Sequence, residues 1–185
     1  MKCFLISLIL LNLAPILRGR FRTMNKIKIY TVGGTIDKIY FDQKNTYQVG
    51  DPEIVEVLRE ANVDLDYETE SLMQKDSLDM TEADRQFIRQ KVARDPHQWI
   101  IITHGTDTMI NTAKSLTGIP DKTIVLTGSM QPARFKNSDA AFNIGCAITA
   151  VQILPVGVYL ALNGRIFDPA NTRKNIELNR FEAMD

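Results

Sequence analysis

Residues 26–37, KIKIYTVGGTID, form the stretch that decides the fold. Its first seven residues, up to Val32, carry the apolar pattern of a β-strand, and the pattern stops at Gly33-Gly34. Thr35 follows at once. Two interpretations are open at this point. The glycines form a tight turn, or they let the backbone approach a small ligand closely and set a hydroxyl beside it.

Strands and helices alternate along the chain after this stretch. The apolar patterns predict strands at 26–32, 65–72, 99–103, 123–128 and 156–163, and helices at 52–62, 81–95, 107–116 and 138–152. The continuous run WIIIT at 99–103 is typical of a strand buried on both faces. A short segment, 165–168, is expected to pair back across Asn163-Gly164. We therefore predict a single α/β domain with a doubly wound, mostly parallel sheet and helices on both faces.

Helix starts and one long loop are also marked in the sequence. Asp51 before Pro52 and Thr81 are expected N-caps, and a further helix is expected to start at Ser138. Residues 36–50 are polar and end in glycine, which is typical of a loop.

Charge and cysteine content exclude several classes of protein. The chain has 185 residues with 22 basic and 22 acidic side chains, and four of the basic ones lie in residues 1–23. The rest is mildly acidic, which argues against nucleic-acid binding. Two cysteines and two histidines without CxxC or HExxH spacing predict no disulfide framework and no metal site.

Residues 1–23 are expected to be separate from the domain at 24–185. Their apolar run is shorter than the roughly 20 residues that span a bilayer, and the arginines after it do not resemble a cleavage site. Three interpretations are open: a mis-called start with Met24 the true one, an export signal, or an anchor. A cytoplasmic location is the first expectation, and membrane contact is expected only if residues 1–23 are retained.

Polar and small residues follow the predicted strands. Parallel α/β sheets bind ligands beyond the carboxyl ends of their strands. The residues at these ends are Gly33-Gly34-Thr35, Lys75-Asp76-Ser77, His104-Gly105-Thr106-Asp107, Gly128-Ser129 and Asn163-Gly164. Each alone is more often a turn, a helix cap or a solvated charge, but their recurrence at strand ends predicts a binding site.

The residue types fit acyl transfer from a small zwitterion. A threonine hydroxyl needs a base to act as a nucleophile, and a desolvated lysine can be that base. Glycine amides can stabilise an oxyanion, and an aspartate can hold an ammonium group. His104 ends a buried strand and is expected to be structural.

Five stretches together resemble the bacterial, threonine-dependent L-asparaginase family. They are TVGGTID (31–37), THGTDTM (103–109), LTGSMQP (126–132), SDAAFNI (138–144) and NGRIFDPANTRK (163–174). They occur in family order over nearly the whole chain. The resemblance implies hydrolysis of L-asparagine to L-aspartate and ammonia through an acyl-enzyme, without metal or cofactor.

The resemblance also implies roles for single residues. Thr35 matches the nucleophile. Thr106 matches the family's second catalytic threonine, and Lys174 matches the lysine that acts with it. Tyr47 matches the tyrosine of the loop that closes over the site. For binding, it implies that Ser77 holds the substrate carboxylate, that Asp107 joins the lysine and holds the α-ammonium, and that Gly34 and Ser129 line the site. A side chain at the glycines is expected to block the substrate.

Departures from the family pattern qualify the expected activity. Val32, Leu78, Ser129 and Gln131 stand where other residues are common, and Leu78 removes one polar contact to substrate. The chain corresponds to the family's first domain, and the second domain, which lends a residue to the substrate amino group, is expected to be absent. We therefore expect weaker substrate binding, with asparagine preferred and only minor glutaminase activity.

Alternative functions remain at this stage. One is a related amidohydrolase acting on another small amide, such as one that feeds ammonia to a partner. The other is a non-catalytic amino-acid-binding protein on the same fold. A homodimer or homotetramer is expected from the resemblance, and nucleic acid is not an expected partner.

Overall fold

The structure, a computed structural model, describes residues 26–41 and 46–184. The predicted extension at 1–23 lies outside them. The strands are β1 (Ile27–Gly33), β2 (Lys38–Phe41), β3 (Thr46–Val49), β4 (Tyr67–Lys75), β5 (Trp99–Thr103), β6 (Thr123–Thr127), β7 (Gly157–Leu162), β8 (Arg165–Phe167), β9 (Thr172–Asn175) and β10 (Arg180–Ala183). The helices are α1 (Ile54–Glu60), α2 (Glu82–Arg94), α3 (Met109–Leu116) and α4 (Ala140–Ile153).

A six-stranded sheet forms the centre, in the order β4-β1-β5-β6-β7-β8. The strands run parallel from β4 to β7, and β8 returns antiparallel to β7, with Leu162 facing Arg165. The predicted mostly parallel α/β sheet is therefore confirmed, as is the return of 165–168. Strand β1 lies inside the sheet, between β4 and β5, and its side chains are buried along the whole strand.

Helices cover both faces of this sheet. Ile100 and Ile102 pack with α2 and α3, whereas Ile101 between them packs on the opposite face with α1 and α4. Alternate side chains of one strand thus enter two separate cores, as expected for a strand buried on both faces. The faces are held by buried residues of the helices, which include Ile88, Val92, Met109 and Leu116 on one side and Ile54, Leu58, Ile144 and Val151 on the other.

Two short hairpins were not predicted. Strands β2 and β3 pair within the segment expected to be a loop at 36–50, with Lys38 facing Val49. Strands β9 and β10 pair near the C-terminus, with Lys174 facing Phe181, so Lys174 lies in a strand and not in a loop. These strands have four residues each and mix polar with apolar side chains, so their sequences show no clear alternation of apolar residues.

The predicted helix caps are partly correct. Thr81 caps α2 through a reciprocal hydrogen-bond pair with Asp84. Asp51 does not cap α1, which begins at Ile54 after Glu53 and has no side-chain cap of its own. Helix α4 begins at Ala140, two residues after Ser138, and α3 begins at Met109.

Candidate active site

The loops after β1, β4 and β5 are in direct contact. A Cβ added to Gly34 would overlap the backbone of Gly105, and one added to Gly105 would lie 2.5 Å from the Ser77 Oγ. The three loops therefore meet at the carboxyl edge of the sheet. Thr35 and Thr106 each follow one of these glycines, so this contact brings the two threonines to one edge of the sheet.

This contact gives a reason for the glycines that was not predicted from the sequence. Gly33 and Gly34 have φ values of 91° and 99°, which side chains rarely adopt. A Cβ on Gly33 would also lie 2.7 Å from the backbone nitrogen of Lys75. Glycine is thus required here by the close approach of neighbouring backbones. That a side chain would also block the substrate stays a prediction.

Lys174 joins Thr106 and Asp107 in a hydrogen-bonded group. Its Nζ donates to the Thr106 Oγ1 and to the Asp107 Oδ1, both at 2.7 Å. The Lys174 side chain is 15% exposed and that of Asp107 is 40% exposed, so the group runs from the buried Thr106 to solvent. An amine in contact with a hydroxyl is the arrangement that can move a proton to or from that hydroxyl.

The pairing of β9 with β10 positions Lys174. Phe181, which faces Lys174 across the hairpin, is 2% exposed and packs against Phe167 of β8. Its backbone N–H donates to the Asn163 Oδ1 at 3.0 Å. The hairpin is thereby fixed to the turn between β7 and β8, and the lysine is carried on an anchored strand.

Ser77 presents a buried hydroxyl with no partner. The residue is 2% exposed, and its Oγ makes no hydrogen bond to any residue that the structure describes. Its carbonyl accepts a 2.7 Å hydrogen bond from the Thr108 hydroxyl, which fixes the loop. Because buried polar groups are normally paired, a free hydroxyl at this edge is available to a ligand.

Thr35 lies in the first position of a 3-10 turn, Thr35–Asp37, and is half-buried. The next residue, Ile36, is fully buried and its carbonyl accepts a 3.0 Å hydrogen bond from the Ala133 N–H. The turn is thus held against the loop after β6, with Thr35 at its start.

Two predicted site residues are engaged elsewhere. Tyr47 on β3 is 51% exposed and makes edge-on contacts with Tyr40 and Phe135, and no contact between it and the other candidate residues is found in the described ranges. The Ser129 hydroxyl is fully buried and donates to the carbonyl of Gln131. The structure therefore brings together the loops of Thr35, Ser77, Thr106, Asp107 and Lys174. The loop of Ser129 adjoins them, because a Cβ on Gly128 would lie 2.2 Å from the His104 carbonyl, but the Ser129 hydroxyl itself is already hydrogen-bonded within its own loop.

His104 has the buried structural environment that was expected. Its Nδ1 lies 2.8 Å from the Gly105 carbonyl and its Nε2 lies 2.8 Å from the Thr112 Oγ1. Burial lowers the pKa of this imidazole to about 4, against the smaller effect of the Gly105 bond. The ring is therefore neutral near pH 7, with Nδ1–H donating to Gly105, and it holds the peptide that precedes Thr106.

The profile of the asparaginase N-terminal domain matches residues 26–185. The chain belongs to the asparaginase family. Solved L-asparaginases share its fold: the enzyme of Thermococcus kodakarensis superposes with a TM-score of 0.74 at 29% identity, over 85% of this chain and 51% of that one. L-asparaginase I of Vibrio cholerae gives 0.76 at 26% identity, over 87% and 52%. A probable cytoplasmic L-asparaginase of Campylobacter jejuni gives 0.73 at 26% identity, over 86% and 53%.

Curated relatives of this asparaginase-family chain agree with the structures. The Thermococcus kodakarensis L-asparaginase is 36% identical over 98 residues, 50% of this chain and 30% of the relative. L-asparaginase 2-3 of Saccharomyces cerevisiae is 32% identical over 170 residues, 83% and 47%. One chain of the glutamyl-tRNA(Gln) amidotransferase of Methanococcus vannielii is 34% identical over 87 residues, 45% and 20%. The chain therefore matches less than half the length of each of these relatives.

Several residues of this asparaginase-family domain shape the site and were missed from the sequence. Asp139 accepts from the N–H groups of Met130 and Gln131 after β6. Asn143 donates to the Gly128 carbonyl at 2.9 Å and accepts from the Asn163 N–H at 3.1 Å. The signal was the polar pair Asp139 and Asn143, one turn apart in an otherwise apolar helical stretch, SDAAFNI.

Asp37 was also missed, because it was read as one more polar residue of a loop. It is 1% exposed, and its Oδ1 accepts from the Glu53 N–H at 2.9 Å, just before α1. Asp37, sixteen residues before Glu53, thus binds the backbone at the start of α1, where Asp51 was expected to be the N-cap.

Neither a metal cluster nor a membrane helix occurs in the described part. No group of three or more His, Cys, Asp or Glu side chains there is arranged to bind a metal ion. No helix in residues 26–41 and 46–184 is long and apolar enough to cross a bilayer.

Proposed function

We propose that this chain hydrolyses L-asparagine to L-aspartate and ammonia through an acyl-enzyme on Thr35. The observation that carries the proposal is the Lys174–Thr106–Asp107 group beside the Gly34–Gly105 contact that also places Thr35. Membership of the asparaginase family, with matches to L-asparaginases along the chain, supports it.

In the proposed first step, the Thr35 oxygen attacks the side-chain amide carbon of asparagine. The C–N bond breaks, the nitrogen takes up the proton released by Thr35, and ammonia leaves. In the second step water attacks the resulting ester, returns a proton to the Thr35 oxygen and releases aspartate. The Lys174 amine and the Thr106 hydroxyl, which are hydrogen-bonded to each other, pass protons on during both steps.

Binding of the substrate uses the remaining groups of the site. Ser77 donates to the substrate α-carboxylate, because its buried hydroxyl has no other partner in the described residues. Asp107 holds the α-ammonium with its exposed oxygen, and backbone N–H groups near Gly34 stabilise the oxyanion. Tyr47 and the β2–β3 hairpin form the cover on the solvent side, and Ser129 shapes the loop beside it.

Ammonia release from L-asparagine, L-glutamine and D-asparagine tests the proposal. We expect turnover of L-asparagine by the full chain, lowered about a thousandfold or more in Thr35→Ala, Thr106→Ala and Lys174→Met. Thr69→Ala, on the exposed part of β4, is the matched control and is expected to leave turnover unchanged. Turnover that persists in Thr35→Ala refutes the assigned nucleophile.

A second candidate is an amidohydrolase that supplies ammonia to a partner. It is favoured by the match to the amidotransferase chain over 45% of this chain. Turnover of L-glutamine or another amide in place of L-asparagine would favour it. Absence of turnover with any amide, together with measurable amino-acid binding, would instead favour a non-catalytic binding protein.

Location and assembly complete the proposal. A cytoplasmic location is supported by the likeness to a protein described as a probable cytoplasmic L-asparaginase. A homodimer or homotetramer is supported by exposed apolar side chains, Phe142, Ile153 and Ile166, around a cavity of about 600 Å³ on α4 and β8. Cell fractionation with mass spectrometry of the native N-terminus tests the first, and light scattering of wild type beside Phe142→Glu tests the second.

A further inference from the structure

Asp37 is a buried carboxyl at the junction of three elements. It ends the 3-10 turn that starts at Thr35, it lies directly before β2, and it is 1% exposed. None of the proposed chemistry uses it. A buried acid so close to a reacting hydroxyl needs a physical account, because burial disfavours its charged form.

Three hydrogen bonds fix Asp37 to its neighbours. Its N–H donates to the Gly34 carbonyl at 3.1 Å, which closes the turn around Thr35. Its carbonyl accepts from the Gly50 N–H at 2.8 Å, which closes the open end of the β2–β3 hairpin. Its Oδ1 accepts from the Glu53 N–H at 2.9 Å, which ties both to the start of α1. The turn, the hairpin and the helix thus meet at this one residue.

The charged groups around Asp37 do not compensate a negative charge. Its Oδ2 is buried and makes no hydrogen bond to any described residue. Glu53 packs beside it and is ion-paired with Arg134, whose Nη2 lies 2.6 Å from the Glu53 Oε1. Lys38, the next residue along the chain, pairs with Asp76 at 2.7 Å. Both of these cations are therefore committed to other acids.

We propose that Asp37 is a positioning residue for Thr35. The neutral carboxyl of Asp37 connects the Thr35 turn and the β2–β3 hairpin to the start of α1. Ionisation of this carboxyl weakens the connection. The proposal rests on the nucleophilic role proposed for Thr35. Ionisation places an unpaired negative charge beside Glu53 in a buried environment. The Asp37 carboxylate then moves toward solvent, and Thr35 moves from its reacting position. Misplacement of a reacting group by about 1 Å can lower a rate about a hundredfold.

The titration of this carboxyl falls in an observable range. Burial raises the pKa of Asp37 to about 7, the Glu53 N–H opposes the rise, and the Glu53 charge adds to it. Near neutral pH the Asp37 carboxyl is therefore present in both its neutral and its ionised form. The kcat of wild type is expected to contain a decreasing limb near this pH.

Kinetics at varied pH test the proposal on the full chain. Asp37→Asn keeps the acceptor for the Glu53 N–H and cannot ionise, so we expect a kcat profile without the decreasing limb. Asp37→Ala is expected to lower kcat about tenfold or more with KM changed less than about threefold, because the turn loses its tie while the binding groups remain. Asp95→Asn removes a buried carboxylate that accepts from the His97 N–H elsewhere in the chain, and it is expected to lower Tm while keeping the limb.

A second measurement does not depend on turnover. In protein labelled at threonine methyl groups, the Thr35 resonance is assigned by its loss in Thr35→Ala. It is expected to shift with pH near 7 in wild type and to stay constant in Asp37→Asn. A Thr35 resonance that does not shift in wild type, or a limb or a shift that persists in Asp37→Asn, overturns the proposal for Asp37. Absence of turnover in wild type overturns only the proposed function, since the resonance still decides the role of Asp37.

Discussion

The Lys174 Nζ lies 2.7 Å from the Thr106 Oγ1, although 68 residues separate them in the sequence. The contact depends on two elements formed independently. Thr106 is fixed at the end of the buried strand β5, and Lys174 is carried by the β9–β10 hairpin. A local sequence pattern cannot encode such a contact, but a parallel sheet that gathers strand ends at one edge makes it possible.

Replacing Lys174 by methionine removes the amine and keeps the length of the side chain. We expect kcat to fall about a thousandfold, because the Thr106 hydroxyl loses the amine with which it exchanges protons, with a much smaller change in KM. Steady-state ammonia release is the measurement. Arg173→Met, which removes the neighbouring cation paired with Glu182, is the control and is expected to keep kcat near the wild-type value. A similar loss in both variants contradicts the prediction, since it indicates damage to the hairpin.

Ser77→Ala removes a buried hydroxyl that has no partner among the described residues. We expect KM for L-asparagine to rise about tenfold or more, because one donor to the substrate carboxylate is lost at a cost of about 1–3 kcal/mol. Thermal unfolding is expected to show equal or higher Tm, because no protein hydrogen bond disappears. Ser71→Ala, at an exposed position of β4, is the control. An unchanged KM beside a lower Tm shows that the hydroxyl has a structural role.

Gly34→Ala places a methyl group against the backbone of Gly105. The strained φ of 99° costs about 1–3 kcal/mol, and the overlap adds about 1–3 kcal/mol. Gly118→Ala separates these effects, because Gly118 has a φ of 82° but nothing within 4 Å of an added Cβ. We expect urea unfolding to show the larger loss for Gly34→Ala. Equal losses in the two variants exclude a contribution from the Gly34–Gly105 contact.

The Asp37 carboxyl makes stability depend on pH. Its pKa of about 7 in the folded chain exceeds its ordinary value of 3.8, so the folded state binds more protons between these values. Its contribution is full below pH 3.8 and is lost as the pH rises to about 7, at up to about 1.4 kcal/mol per pH unit. The free energy of unfolding of wild type, relative to Asp37→Asn, is therefore expected to fall between about pH 4 and 7 and to stay level above. A relative stability that rises with pH would show that the carboxylate is paired.

The sequence predicted the centre of the fold and missed parts of its edge. Strand β5 was found at its full length because WIIIT is buried on both faces. Thr81 was predicted correctly as an N-cap because its hydrogen-bond partner, Asp84, lies within the same four residues of sequence. The β2–β3 hairpin was missed because its strands have four residues each and mix polar with aromatic side chains.

The site shows the same division between local and distant causes. Motifs at strand ends predicted Thr35, Ser77 and Thr106 as candidate site residues, because the edge of a parallel sheet is a general binding position. The hydrogen bond between Asp37 and the residue before α1 could not be predicted, since Asp37 lies sixteen residues before Glu53, whose N–H donates to it. The backbone contact of Gly34 was likewise not predicted, because its partner, Gly105, follows another strand.

The contact between Gly34 and Gly105 sets the spacing of Thr35 and Thr106 through main chain alone. No side chain lies in this contact, so the distance between the turns of Thr35 and Thr106 cannot change by a rotamer change. This fixed distance limits the length of a substrate that binds between them. Evolution or engineering toward a longer amide therefore cannot gain room by trimming a side chain at this contact. Extra space has to come from elsewhere, and Leu78, the residue after Ser77, is 72% exposed and can change without moving the sheet.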